Sequence, residues 1–230
     1  MKILKTSKTL WHELVTRLNA AGTFLPQIFL RLILFWEFWE AGKMKYDTIQ
    51  EGGESLSQTV NWFAGLSFPF PFDQISASAN YHISMVAEIL FALLILFGLF
   101  TRFAAIALIV LTVVATAAVH WPESYSSLGE LWKGYAISNN GFGNYKLPLL
   151  YIIMLLPLLF SGAGKFSLDN LIAKMSKYSD SQAQTSDLGM WGLALMALGV
   201  PLMFVMPTFG TGLAIAGLIA LVANKFMTPK

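Results

Sequence analysis

In an otherwise apolar chain, the residues that could do chemistry are ionisable side chains, and they gather in a few places. The run Arg31-Leu-Ile-Leu-Phe-Trp-Glu37-Phe-Trp-Glu40-Ala-Gly-Lys43-Met-Lys45 closes an apolar stretch that begins near Phe24. It sets a guanidinium and carboxylates where a membrane-spanning helix is expected. A charge at that depth costs roughly 2.5–3.5 kcal/mol on insertion scales, so it needs a partner and usually has a task. Glu88 stands inside the next apolar run, and His82 and His120 stand at the edges of the second and third. With helix one running outward and helix two inward, Glu37 and Glu88 share a depth of roughly 8–9 Å below the outer boundary. Arg31 lies roughly 9 Å further in, and its long side chain can reach outward toward Glu88. Lys43, His82 and His120 are placed at the rim.

That constellation has two readings. In the first it is a polar pocket: Arg31 fixes a carboxylate, Glu88 or Glu37 exchanges a proton, and His120 or His82 assists, with Lys43 among the ligand-binding residues. Trp36, Trp39 and nearby Phe residues would then line a slot open to lipid, with Glu40 at its edge. In the second, Arg31 and Glu88 form an interhelical ion pair that holds the helices together, because charges in a membrane must be paired. Glu37 and Glu40 have no cationic partner within their own helix, which favours a site.

Metal chemistry is not expected. Glu37 and Glu40 share a helix face, but no second carboxylate–histidine pattern accompanies them, and the methionines are scattered rather than clustered as soft ligands. The chain has no cysteine, which excludes disulfides, thiolate catalysis and thioether-linked haem. No covalently bound cofactor is expected.

The elements that must position these residues follow from composition. Hydrophobic residues make up 56% of the chain and charged ones 12%, with a net charge of +2. Soluble domains are about a quarter charged, so the chain is read as an all-α, multi-pass membrane protein in contact with the lipid bilayer, and nucleic acid is not a partner. Apolar runs near Phe24–Ala41, Ile83–Phe100, Phe103–Trp121, Leu147–Phe160, Leu188–Met206 and Gly210–Ala223 are candidate spans. The basic residues fall mostly on one side of these runs, from Lys2, Lys5, Lys8 and Arg17 through Arg102, Lys165 and Lys174 to Lys225. The positive-inside rule then puts both termini in the cytoplasm.

Between the spans, residues 1–22 read as a cytoplasmic amphipathic helix, with Leu10, Trp11, Leu14 and Leu18 on its apolar face. Ser55–Leu66 reads as an interfacial helix followed by an aromatic, proline-broken lip at Phe68-Pro-Phe-Pro-Phe72, and Asn139-Asn140-Gly141 as a turn in the second outer loop. Ser167 can cap a short amphipathic helix through Met175. Residues 176–187 form a polar linker, and 188–230 an accessory hairpin. Gly212, Ala216 and Ala220 in that hairpin recur at four-residue spacing, with Gly192 and Gly199 two turns apart, a pattern that permits close helix packing and homo-oligomerisation.

Several of these stretches resemble one family. The Arg31…Gly42-Lys43 run, the Glu88…Gly-Leu-Phe-Thr-Arg102-Phe-Ala-Ala run, His120 and Gly162-Ala-Gly-Lys-Phe-Ser-Leu-Asp169 are similar to the DoxX family. The Thr48 region and the proline-rich outer loop resemble its HvfX/MauE-like branch. The resemblance covers about Phe24–Ile172 and implies a four-helix membrane bundle over residues 23–175, with the last hairpin outside it. It further implies an inner-membrane subunit beside a redox partner protein, coupled to quinone. Against that background the polar pocket becomes a place where Glu88 or Glu37 exchanges a proton at a quinone headgroup. The alternatives are a non-catalytic anchor or assembly factor, and a small-solute or proton pathway.

Overall fold

The computed structural model describes residues 2–135, 141–176 and 187–227. The expected turn at Asn139-Asn140 and most of the 176–187 linker lie outside the described residues. The helices are α1 (Lys2–Gly22), α2 (Leu25–Glu51), α3 (Gly53–Ala64), α4 (Ala77–Phe97), α5 (Thr101–Ala115), α6 (Leu128–Lys133), α7 (Lys146–Ser161), α8 (Leu168–Met175), α9 (Leu188–Leu202) and α10 (Pro207–Met227). No strand occurs among the described residues. The stretch Lys8–Glu51, α4, α5 with the π-turn Thr116–His120, and α10 are each long and apolar enough to cross a membrane; α7 and α9 are apolar but shorter. The chain is an all-α membrane protein.

Helix α2 packs on α4, α4 on α5, α5 on α7 and α7 back on α2, which closes a bundle. Its core is built from Leu34, Ala92, Ile95, Ala104, Ala105, Leu108, Leu155 and Leu158, all fully buried. Small residues on α5 let the neighbouring helices approach it closely, as membrane packing requires where no hydrophobic effect drives association. Gly42 does the same between α2 and α4: a Cβ there would lie 2.7 Å from Ile89 Cγ1 and 3.1 Å from Glu88 Cβ.

The turns follow their residues. Ser76 Oγ accepts from Ala79 N–H to start α4, and Gly98, at φ 61°, ends it in the left-handed region that glycine enters freely. Ser167 caps α8 through Asn170 N–H, as its spacing predicts. The expected interfacial helix is present as α3. Helix α2 runs ten residues past the expected Ala41, to Glu51, because nothing between them breaks it before Gly52. Helix α6, inside the second long loop, has no counterpart in the expectation.

In the hairpin, the packing glycines are Gly192, Gly199, Gly210 and Gly217, each within 3 Å of the opposing helix if given a Cβ. The Gly212–Ala216 stripe instead faces outward, and a side chain at Gly212 would meet nothing. The hairpin leans on the bundle through the turn that follows α9, where Phe204 meets Phe72 edge-on.

Candidate functional site

The two ends of the α2–α4 pair carry different polar arrangements. At one end lies Arg31, which does not reach Glu88. Its Nε donates to Ile95 O at 2.9 Å and its Nη2 to Leu96 O. Its Nη1 donates to Phe166 O at 2.6 Å and Ala163 O at 3.3 Å. The expected Arg31–Glu88 pair is therefore not formed, and the reason is geometric. Arg31 lies level with the C-terminus of α4, where Ile95 O accepts from Gly98 N–H and still has room for a second donor, while Glu88 lies two turns back, roughly 10 Å along the axis. Carbonyls at a helix C-terminus carry partial negative charge, so a guanidinium is favoured there.

The rest of that end closes around Arg31. Asp169 accepts from Phe100 N–H at 2.7 Å and Thr101 N–H at 3.0 Å, capping α5 from a distant segment. Asp169 N–H in turn donates to Gly98 O at 2.9 Å. Gly98 cannot carry a side chain, since its Cβ would sit 2.6 Å from Ser167 Cβ and 3.0 Å from Arg31 Cζ. Arg102 closes the end of α7 by donating to Leu159 O and Phe160 O at 3.0 and 2.6 Å. Every motif at this end serves as a clasp.

The other end holds a cavity of about 360 Å³ between α2, α3, α4 and α5. Glu88 lies at it, and its partner is Lys45, whose Nζ donates to Oε1 at 2.8 Å and Oε2 at 2.6 Å. Both side chains are nearly buried, at 14% and 12% exposure. Tyr81 O–H donates to Lys45 O at 3.3 Å, and Tyr81 meets Phe63 edge-on with centroids 5.1 Å apart. Asn80 donates to Phe72 O at 2.8 Å, tying the aromatic lip to α4. The remaining walls are apolar, with Phe63, Phe68, Leu111 and Val114 among them. A pocket of this size and polarity, with one convergent charge pair, falls within the range of small-molecule sites.

Among the expected site residues only Glu88 lines this cavity. Lys43 pairs with Asp47 at 2.5 Å on the exposed side of α2. Glu37 accepts from Tyr151 O–H on α7, and Glu40 and Trp36 are exposed on the outside of the bundle. Trp39 packs beside Phe35. His82 is exposed, with Nδ1 2.7 Å from Ser78 O, and His120 Nδ1 lies 2.5 Å from Asn144 Oδ1, tying two loop segments together. A single pocket joining Arg31, Glu37, Lys43, His82 and His120 is thus not formed. These residues occupy different faces of their helices, and depth alone does not bring them together. Among the described residues no group of three His, Cys, Asp or Glu side chains could hold a metal ion.

Lys45, Tyr81, Asn80 and Phe63 were missed. For Lys45 the signal was present: positions 31, 34, 38, 42 and 45 follow one helical face, and the first four are the buried residues of α2. Lys43 falls off that face, and its rim position was mistaken for access to the interior.

Comparison with known proteins comes down to a few matches. The DoxX family model matches residues 27–121, which span α2, α4 and α5. A second model, described as TQO small subunit DoxD, matches residues 78–186. The α9–α10 hairpin lies outside both. A Haemophilus influenzae protein described as uncharacterized is 38% identical over 161 residues, covering 69% of this chain and 91% of its own length. No solved structure matches the chain.

Proposed function

We propose, from the premise that this chain belongs to the DoxX family, that it is a small membrane subunit of a quinone-linked oxidoreductase assembly. In this reading the Lys45–Glu88 cavity receives the polar head of a quinone-like amphiphile. One observation carries it: a nearly buried ion pair opens onto about 360 Å³ of otherwise apolar space. An ion pair that existed only to hold helices would be packed over, because empty space beside it forfeits contacts. Lys45 can donate a hydrogen bond to a carbonyl oxygen and Glu88 can hold or release a proton once the pair is opened, while Phe63, Phe68 and Leu111 cover an apolar body. The match to a DoxD-type small subunit supports the partner complex.

The finer assignments belong to the same reading. The aromatic lip that closes the cavity supports the HvfX/MauE-like branch, and the sorting of Lys and Arg supports an inner-membrane setting with both termini cytoplasmic. The outward Gly212–Ala216 stripe is the surface through which the hairpin would pair with a second copy. The rival reading is a non-catalytic anchor, and it is favoured by the pair itself, since Lys45 engages both carboxylate oxygens and leaves neither without a donor.

Trp62 lines the cavity and provides a reporter. Titration of the purified protein with a short-chain benzoquinone is expected to quench tryptophan fluorescence saturably, with much of the signal absent in Trp62→Phe. Lys45→Met and Glu88→Gln are expected to weaken binding at least tenfold, about 1.4 kcal/mol, with helix content unchanged. Linear, unsaturable quenching in the unaltered protein would leave the anchor reading standing.

A further inference from the structure

The clasp end carries a second feature that neither the clasp nor the quinone reading uses. A groove of about 660 Å³ runs between the α4–α5 turn, the end of α7 and the start of α8. Arg102 and Lys165 lie on it, with Thr101, Ser167, Asp169 and Asn170. Among the described residues neither Arg102 nor Lys165 has a carboxylate partner. Arg102 uses only Nη1 to cap α7, so Nε and Nη2 remain on the groove side. Gly162 leaves that edge uncovered, since a Cβ there would lie 3.7 Å from Nη2 and 3.8 Å from Nε. Asp169 also lies on the groove, and its carboxylate accepts from the Phe100 and Thr101 N–H groups.

The surroundings say where the occupant comes from. Phe100, Phe103 and Phe166 flank the groove and are 61–65% exposed, and the apolar face of α8 (Leu171, Ile172 and Met175) is also uncovered. Exposed apolar flanks at the end of a span place the groove at the boundary between acyl chains and water, where lipid phosphates lie.

We propose that this groove is a binding site for the phosphate of an anionic phospholipid, held by Arg102 and Lys165. The diagnosis rests on cations without a carboxylate partner on a groove at the end of the spans, and apolar flanks for the acyl chains. The site is separate from the cavity, so its fate does not depend on the quinone reading.

Native mass spectrometry of the full-length, detergent-solubilised protein tests it, with phosphatidylglycerol and phosphatidylcholine added in turn. One phosphatidylglycerol is expected to be retained in preference to phosphatidylcholine. Lys165→Gln, an exposed change outside the clasp contacts, is expected to reduce that preference about fivefold, the effect of one surface charge near lipid. Equal retention of the two lipids overturns the proposal, as does an unchanged preference in Lys165→Gln. Displacement of the lipid by millimolar inorganic phosphate would assign the groove to free phosphate and overturn the lipid.

Discussion

Each end of the α2–α4 pair holds a buried cation, and the two cations are used in opposite ways. Arg31 is 7% exposed and spends its donors on the carbonyls of Ile95, Leu96, Ala163 and Phe166. Gly98, Ala163 and Ser167 are packed against it with no room for a methyl group. Lys45 faces a carboxylate rather than carbonyls, and beside that pair lies open volume. A membrane protein thus tolerates a buried charge in two ways: by saturating it with backbone dipoles in a packed joint, or by pairing it at the edge of a cavity. Only the second leaves a group that can exchange one partner for another.

The largest expected effect breaks the first half of that contrast. Arg31→Leu orphans the carbonyls at the end of α4 and in the 163–166 segment, and removes the tie between α2, α4 and the α7–α8 turn. A loss on the order of 3–5 kcal/mol is expected, the range for removing one partner of a buried charged network. Unfolding in mixed micelles, followed by helical circular dichroism, measures it. Stability within 1 kcal/mol of the native protein would mean that the clasp is decorative.

The clasp was more legible in the sequence than the cavity. Glycine at 98, Ser167 at a cap position and Asp169 nearby are local signals. Arg31 was recognised as costly and in need of a partner, but the partner was sought among side chains, while the backbone at the end of α4 supplied it. Helical periodicity records which face a residue occupies and not what stands opposite. The same blindness exchanged Lys45 for Lys43, neighbours two positions apart whose side chains point to different sides of α2. It also put His82 and His120 together on depth alone, although His120 closes a π-turn and bonds to Asn144. Glu37, expected in the pocket, found Tyr151 on α7 because α7 lies against the opposite side of α2.

An intermediate effect sharpens the second half of the contrast. Lys45→Met and Glu88→Gln are each expected to cost about 2 kcal/mol, below the range for fully buried pairs because both groups keep some exposure. The double variant is expected to recover most of that loss, since apolar replacement of a pair is often neutral. Arg31 has no such compensating partner, because carbonyls cannot be mutated away. Recovery of stability in the double variant without recovery of quinone quenching separates a site from a lock. Recovery of neither would make the pair part of the structural frame, like the clasp.

The smallest expected effect uses acid to loosen one region and spare another. Glu130 lies in α6, in the loop whose residues Leu131 and Trp132 pack beside α5 and α7. Its carboxylate accepts from Ser126 N–H and O–H at 2.8 and 2.7 Å, while Ser127 Oγ accepts from Glu130 N–H. The Ser126 bonds hold the Glu130 carboxyl below its usual range. A carboxyl whose folded pKa lies below its unfolded value stabilises the fold above about pH 4.3, and that contribution disappears as pH falls through the folded value. Amide exchange at residues 126–133 is therefore expected to quicken between neutral pH and pH 3, beyond the intrinsic change in exchange rate. The increase should be absent in Glu130→Gln, which cannot titrate. Exchange at Phe100 and Thr101 should stay slow, because both amides are bonded to Asp169 inside the packed clasp. Equal acceleration at the α6 loop and at these amides would show that the two regions open as one unit rather than as a rigid joint and a separately mobile loop.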